Sequence, residues 1–219
     1  VKVVIVNAGK LISIESTKQA VDEGLIDPIF VGDKKVIDKL ANDIKWNIAN
    51  YKIIDEPIEN NTVLVSAAAG SVGLLVGQIA KIKGARTVGV TSTAEKCEML
   101  KARLGYDASV SYKSAEFRAE LKAACANGVD VYFDNTGGEI LGAALFRMNE
   151  GGRIACCGVV SQYDTSNPSG GPRGVPGLLI NKRIKMQGFL VFDYMDQYKN
   201  ARSELKSWIK SGELKPVND

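Results

Sequence analysis

The chain has 219 residues, 45% of them hydrophobic and 24% charged, a composition that fits a folded globular protein and excludes a disordered or fibrous one. A net charge of +3 is too small to argue for nucleic acid or a membrane surface as partner, and no apolar run approaches the ~20 residues of a membrane span. There is no histidine, which removes the Ser-His-Asp triad, the Cys-His pair and every histidine-containing zinc site.

In chain order, Val1–Asn7 is a short β-branched run, and a helical pattern follows over about Ser16–Glu23, closed by Gly24. Pro28–Gly32 is apolar and strand-like, Asp33 has the place of an N-cap for a helix reaching about Ile44, and Tyr51–Pro57 is a strand ended by proline. Ile58–Asn61 is polar and irregular. A domain boundary is expected there, between an N-terminal βαβαβ segment (1–57) and a second domain (62–219).

From Thr62 the strand–helix alternation becomes regular. Thr62–Ala69 is a continuous apolar strand, as a sheet covered on both faces requires. A helix over about Val72–Lys83 is expected to turn Leu75, Ile79, Ala80 and Ile82 to the sheet and to end at Gly84. The pattern continues with strand Arg86–Thr91, helix Glu95–Gly105, strand Ala108–Tyr112, a helix capped by Ser114, and strand Val129–Gly138 with its turn. A helix from Glu139, strand Gly152–Val160, a helix near Val175–Asn181, strand Ile184–Phe192 and a helix over about Met195–Lys210 complete it. Asp164–Pro176 is the one long irregular stretch, and such loops often cover ligands. This alternation predicts an α/β fold, a Rossmann-type doubly wound parallel sheet whose ligand lies at the carboxyl ends of the strands.

The four cysteines Cys97, Cys125, Cys156 and Cys157 lack C-x-x-C spacing. They read as reduced thiols, and with no signal peptide at the start of the chain a cytoplasmic protein is expected. No metal site is expected.

Ala68-Ala69-Gly70-Ser71-Val72-Gly73 lies between an apolar strand and an amphipathic helix, as G-x-G-x-x-G with alanine at its first glycine. Gly70 lets the backbone approach a pyrophosphate, Gly73 lets helix and strand pack closely, and the free N–H groups of the helix start face the anion. A tight turn without ligand is the alternative. An NAD site needs an acidic residue at the end of the second strand. Here Thr91-Ser92-Thr93 is neutral and Lys96 follows, in reach of a 2′-phosphate. NADP is therefore expected. Lys96 has the alternative of a solvated helix residue, and Glu95 is a complication unless it points outward.

VSAAAGSVGLLVGQIAKIKG, AEKCEML, GVDVYFDNTGGEIL, CGVVSQY and MQGFLVFDY together resemble the zinc-independent medium-chain dehydrogenase/reductases, in the branch of the prostaglandin, alkenal and curcumin reductases. The resemblance runs from about Thr62 to Pro216. It implies that Gly70, Ser71, Val72 and Gly73 cradle the pyrophosphate, that Lys96 and Tyr112 hold the 2′-phosphate, and that Asn135 contacts the cofactor near its ribose. It implies further that Cys157, Gly158, Val159, Val160, Ser161, Gln162 and Tyr163 wrap the nicotinamide half, with Phe189, Leu190 and Val191 on its far side. Tyr163 is the candidate catalytic residue. The activity implied is hydride transfer from NADPH to the β-carbon of an enone, enal or related quinone, with polar groups stabilising the enolate. Without the resemblance, Tyr112 and Tyr163 read as surface tyrosines.

The β-rich catalytic portion that this family places around its cofactor domain is absent from the sequence. In its place ESTKQAVDEGLIDPIFVGDKKVIDKLANDI and YKIIDEP resemble the start of the phosphate acetyl- and butyryltransferases. Two unlike ancestries meeting at about Ile58 imply a fusion, a chimera or a piece cut from larger proteins. Three functions are carried forward: an NADP(H)-dependent reductase of small enones or quinones, a catalytically incomplete NADP-binding module, and an acyltransferase-related protein. A homodimer joined through an exposed sheet edge is a further expectation.

Overall fold

The computed structural model describes residues 2–6, 11–55, 61–163 and 171–216. Most of the expected boundary Ile58–Asn61 and of the loop Asp164–Pro176 lies outside them. Contacts divide the chain into two units, Val1–Glu59 and Asn60–Asp219.

The first unit runs β1 (Lys2–Val6), α1 (Leu11–Asp22), β2 (Asp27–Gly32), α2 (Lys34–Asp43) and β3 (Lys52–Asp55). Its three strands form a parallel sheet in the order β1-β2-β3. Asp33 caps α2, its carboxylate accepting from the N–H of Lys35 at 2.8 Å and of Val36 at 3.2 Å. Helix α1 begins five residues ahead of the sequence expectation, at Leu11. Within it Thr17 Oγ1 donates to the Ser13 carbonyl at 2.6 Å, so the helix absorbs the hydroxyl. Ile14, Phe30, Ile37, Ala41, Trp46 and Ile48 form the unit's core.

The second unit runs β4 (Thr62–Val65), α3 (Ser71–Ile82), β5 (Arg86–Thr91), α4 (Ala94–Leu104), β6 (Ala108–Ser111), α5 (Phe117–Ala124), β7 (Val129–Asp134), α6 (Gly138–Arg147), β8 (Met148–Cys156), α7 (Val175–Lys182), β9 (Lys185–Gly188) and α8 (Tyr198–Ser211). Its six strands are all parallel, in the order β6-β5-β4-β7-β8-β9. This is the doubly wound α/β fold. Side chains alternate along β4: Val63 and Val65 pack with Leu74, Leu100, Leu104 and Tyr106, whereas Leu64 packs with Leu121, Leu141 and Leu145. Helices α3 and α4 therefore cover one face, and α5 and α6 the other. No helix among the described residues is long and apolar enough to cross a membrane.

Several elements differ from the sequence reading. Helix α3 buries Gly73, Leu74, Gly77 and Gln78, and Leu75 is exposed. Leu74, with Val76 and Ala80, packs with Val63 and Val65 of β4, while Gly73 closes on the backbone of Ala67 and Ala68. The Tyr106 ring occupies the space a Gly77 Cβ would need. Ser114 makes a turn before α5, with the Phe117 N–H donating to its carbonyl at 3.2 Å, and does not itself cap the helix. Strand β8 starts and stops four residues before the expected bounds, at Met148 and Cys156, because its partner β7 ends at Asp134, whose carbonyl accepts from the N–H groups of Cys157 and Gly158 at 2.8 and 3.1 Å. Strand β9 stops at Gly188, and Val191–Gln197 is a 3-10 segment whose Asp193 carboxylate accepts from the Leu190 N–H at 2.9 Å.

Candidate functional site

The carboxyl ends of the strands are where the chain builds its site. Strand β4 gives way at Val65 to the turn 66–69. In that turn Ala67 takes φ 45°, Ala68 N–H donates to the Val90 carbonyl at 3.0 Å, and Gly70 N–H donates to the Ala67 carbonyl at 2.8 Å. Gly70 is the N-cap of α3 and offers no side-chain bond, so the first N–H groups of the helix lack a side-chain acceptor and face outward. Gly73 is buried beneath them. A Cβ there would stand 2.3 Å from the Ala67 carbonyl oxygen, so only glycine permits this approach. From behind, the Tyr106 hydroxyl donates to the Gly73 carbonyl at 2.8 Å.

A cavity of about 480 Å³ opens beside this turn, lined by Ala67, Ala69, Gly70, Thr91, Ser92, Lys96, Tyr112, Thr136, Ile140, Val160 and Ser161. Among the described residues no carboxylate lines it. Lys96 is exposed on the first turn of α4, its N–H accepted by the Thr93 hydroxyl at 3.3 Å, and its ammonium is in no ion pair among the described residues. Glu95 is exposed and does not line the cavity; its carboxyl is held below the usual range by its own backbone N–H and then by Thr93.

A second cavity, about 490 Å³, lies between the ends of β8 and β9, lined by Cys156, Cys157, Gly158, Val159, Tyr163, Gly188, Phe189, Leu190 and Asp193. The segment 157–163 contributes to both cavities. Tyr163 is exposed, and its hydroxyl accepts from the Val159 N–H at 3.4 Å. Burial pushes the thiols of Cys156 and Cys157 up, and the charge of Asp134 adds to the effect. They are free thiols, like the buried Cys97 and Cys125.

The turn between β7 and α6 joins the two cavities. Asp134 is 2% exposed, and its Oδ1 accepts from Tyr132 Oη at 2.7 Å, Gly137 N at 2.9 Å, Thr136 N at 3.0 Å, and Ser66 Oγ and Thr136 Oγ1 at 3.2 Å. Asn135 straps this turn to the neighbouring one. Its N–H donates to Ser66 Oγ at 2.9 Å, and its Nδ2 donates to the Ser66 carbonyl at 2.7 Å. The Thr136 carbonyl then accepts from both Ser161 N, at 3.1 Å, and Ser161 Oγ, at 2.5 Å. Gly137 has φ 66°, and a Cβ there would meet Val159 Cγ2 at 3.0 Å, so the turn and the 157–163 segment also need glycine for contact.

Of the residues singled out in the sequence, Gly70, Lys96, Tyr112, Val160 and Ser161 line the first cavity, and Cys157, Gly158, Val159, Tyr163, Phe189 and Leu190 the second. Ser71 and Val72 stand exposed at the start of α3 without lining either cavity. Asn135 is buried in its strap, Gln162 gives its N–H to the Val159 carbonyl at 2.8 Å, and Val191 projects from the 3-10 segment, exposed. Thr91 and Ser92, read in the sequence as the neutral end of the second strand, line the first cavity, as do Thr136 and Ile140, which were not singled out, and Asp134 and Tyr106 hold the site from beneath. The strand-ending D-N-T-G-G run was the available signal for Asp134, since an Asp so placed accepts from backbone N–H groups one to three residues on.

Residues 71–207 match the model of the zinc-binding dehydrogenase family. The chain is similar to the 2-alkenal reductase (NADP(+)-dependent) of Nicotiana tabacum, 42% identical over 78% of this chain and 50% of that protein. It is also similar to the NADPH-dependent curcumin reductase of Escherichia coli, 38% identical over 74% of this chain and 48% of that one. The crystal structure of CurA in complex with NADPH from Vibrio vulnificus superposes with a TM-score of 0.68 at 41% identity, covering 72% of this chain and 48% of that chain. The chain thus spans about half the length of the relatives it matches. The residues present do not fit a zinc ion: histidine is absent from the sequence, and among the described residues no three or more Cys, Asp or Glu are grouped to hold a metal. With its doubly wound sheet, its glycine turn and its matched residues 71–207, the chain belongs to the zinc-binding dehydrogenase family, as a zinc-independent member with a dinucleotide-binding fold.

Proposed function

We propose that this chain binds NADP(H) at the end of β4 and serves the reduction of the carbon–carbon double bond of small enones, enals or related quinones. The observation carrying the cofactor reading is the cavity itself: Lys96, Tyr112, Thr91 and Ser92 line it, and among the described residues no carboxylate does. A 2′-phosphate there meets an ammonium and hydroxyls, while a ribose 2′-hydroxyl finds no acidic acceptor. The uncapped start of α3 suits a pyrophosphate. When bound, the reduced nicotinamide supplies a hydride for the β-carbon of the enone.

The chain's own part is to hold and to exclude. The loop 157–163, fixed by Ser161 on Thr136, supports the nicotinamide half against Phe189 and Leu190, and Tyr163 stands at the mouth of the second cavity as donor to a developing enolate oxygen. The reductase names of the relatives support this substrate class. A cytoplasmic location and a homodimer paired through the exposed edge strand β9 belong to the same proposal. So does a separate, acyltransferase-like origin for the first unit, to which no chemistry is assigned.

Titration with NADPH and NADH, read by nicotinamide fluorescence, tests the cofactor reading. Lys96→Ala should weaken NADPH by ~1–3 kcal/mol, the worth of a charge-assisted bond, and leave NADH unchanged. Equal losses for both cofactors would overturn the role of Lys96. Adding a short enal and following absorbance at the nicotinamide band tests the reduction. Tight NADPH binding with no oxidation would make the chain a binding module.

A further inference from the structure

We propose that the hollow between α5 and α6 is a second ligand site, one that takes a phosphate group carried on a small aromatic molecule. The hollow measures about 180 Å³ and is lined by Arg118, Lys122, Leu121, Ala143, Phe146 and Arg147. Its lining shares no residue with either cavity at the strand ends, so the inference stands apart from the reductase reading.

Among the described residues three cations and no carboxylate line this hollow. Arg118 and Lys122 are one helical turn apart on α5, so their side chains share a face, where like charges destabilise a helix unless something neutralises them. Arg147 comes from the last turn of α6. Its guanidinium is within 3.3 Å of the Phe146 carbonyl, and neither it, Arg118 nor Lys122 is in an ion pair among the described residues. A fourth cation, Lys182, anchors the same corner, its Nζ donating to the Phe146 and Met148 carbonyls at 3.0 and 2.7 Å. Burial, and then the charge of Arg147, push its pKa down. The corner thus carries unneutralised positive charge, which a bound anion would relieve.

The two guanidiniums favour an oxyanion that accepts in pairs, and several cations favour one with more than a single charge, hence a phosphate. The Phe146 ring is 54% exposed at the rim, with Leu121 and Ala143 beneath, a surface for the apolar part of the molecule that bears the phosphate.

The test uses the whole chain, titrated with inorganic phosphate and with phenyl phosphate at ionic strength fixed by sodium chloride. Arginine side-chain NMR signals and melting temperature are the readouts. Phenyl phosphate should bind about tenfold tighter than inorganic phosphate and move the Arg118 and Arg147 signals. The double variant Arg118→Gln/Lys122→Gln should raise its Kd about tenfold or more, Arg147→Gln on the other helix should reproduce the loss, and Lys96→Ala should leave it unchanged. Loss with Lys96→Ala but not with the arginine variants would put the anion in the cofactor cavity and overturn the proposal. So would phosphate acting no differently from chloride. Equal binding of the two phosphates would overturn the role of Phe146.

Discussion

Gly73→Ala should lower stability by ~3 kcal/mol, at the upper end of what overpacking costs, and should abolish measurable NADPH binding. The added methyl would stand 2.3 Å from the Ala67 carbonyl oxygen and 2.7 and 2.9 Å from Ala68 Cα and its carbonyl carbon. These are backbone atoms in a turn held by Ala68 N–H on Val90 and Gly70 N–H on Ala67, so neither side can yield cheaply. Alanine gains helix propensity worth ~1 kcal/mol over glycine, which offsets only part of the clash. Gly177, in α7, supplies the opposite case, because a Cβ there meets nothing within 4 Å. Gly177→Ala should stabilise by ~0.5–1 kcal/mol through the propensity term alone. Thermal unfolding of the two variants against the parent checks both. If Gly73→Ala melts with or above Gly177→Ala, helix and strand are not in the contact that makes the glycine turn a cradle.

The sequence made the second unit's fold legible because its signals were local. The apolar runs from Thr62 and over Arg86–Thr91 mark strands, the first ending at Val65 where the turn begins, and Gly84 and Gly105 mark the ends of α3 and α4. The glycine turn was legible for the same reason, and so was Lys96, five residues past the end of β5. What stayed hidden depends on distance in the chain. The inward face of α3 was only partly legible: Ala80 packs toward the sheet as expected, but Leu74 and the close approaches of Gly73 and Gly77 take the place of Leu75, which stays outside. Strand β8 was read four residues too late, because its bounds follow its partner β7, which ends at Asp134, and β9 was read too long because Leu190 gives its N–H to the Asp193 carboxylate. Asn135 illustrates the limit of carrying over a role: its position is at the site, while its amide is committed to Ser66. The cation-lined hollow also escaped notice, since Arg118 and Arg147 lie far apart in sequence and meet only when α5 packs beside α6.

Asp134→Ala should be the other severe change, destabilising by ~4 kcal/mol, the range that marks loss of a buried hydrogen-bonding network. The carboxylate oxygen Oδ1 collects donors from both turns that wall the first cavity: Ser66 Oγ, Tyr132 Oη, the N–H groups of Thr136 and Gly137, and Thr136 Oγ1. Each buried donor left without an acceptor costs ~1–3 kcal/mol. The hydroxyls can rotate toward other acceptors and the backbone N–H groups cannot, so the loss falls well short of the sum. For a domain of this size ~4 kcal/mol corresponds to a fall in melting temperature of roughly 10 °C. Asp134→Asn separates shape from charge. It keeps an acceptor oxygen in place but makes every bond to it neutral, which about halves their strength, so ~1–2 kcal/mol should be lost while the fold survives. Tyr132→Phe removes one donor, and combined with Asp134→Asn it should show a coupling of at least ~0.5 kcal/mol, as residues sharing one network do. NADPH affinity should fall in step with the charge variant, because Thr136 carries both the cavity wall and, through its carbonyl, Ser161. An Asp134→Ala protein that melts within ~2 °C of the parent would mean that these donors find other acceptors, and that the two turns hold their geometry without a shared centre.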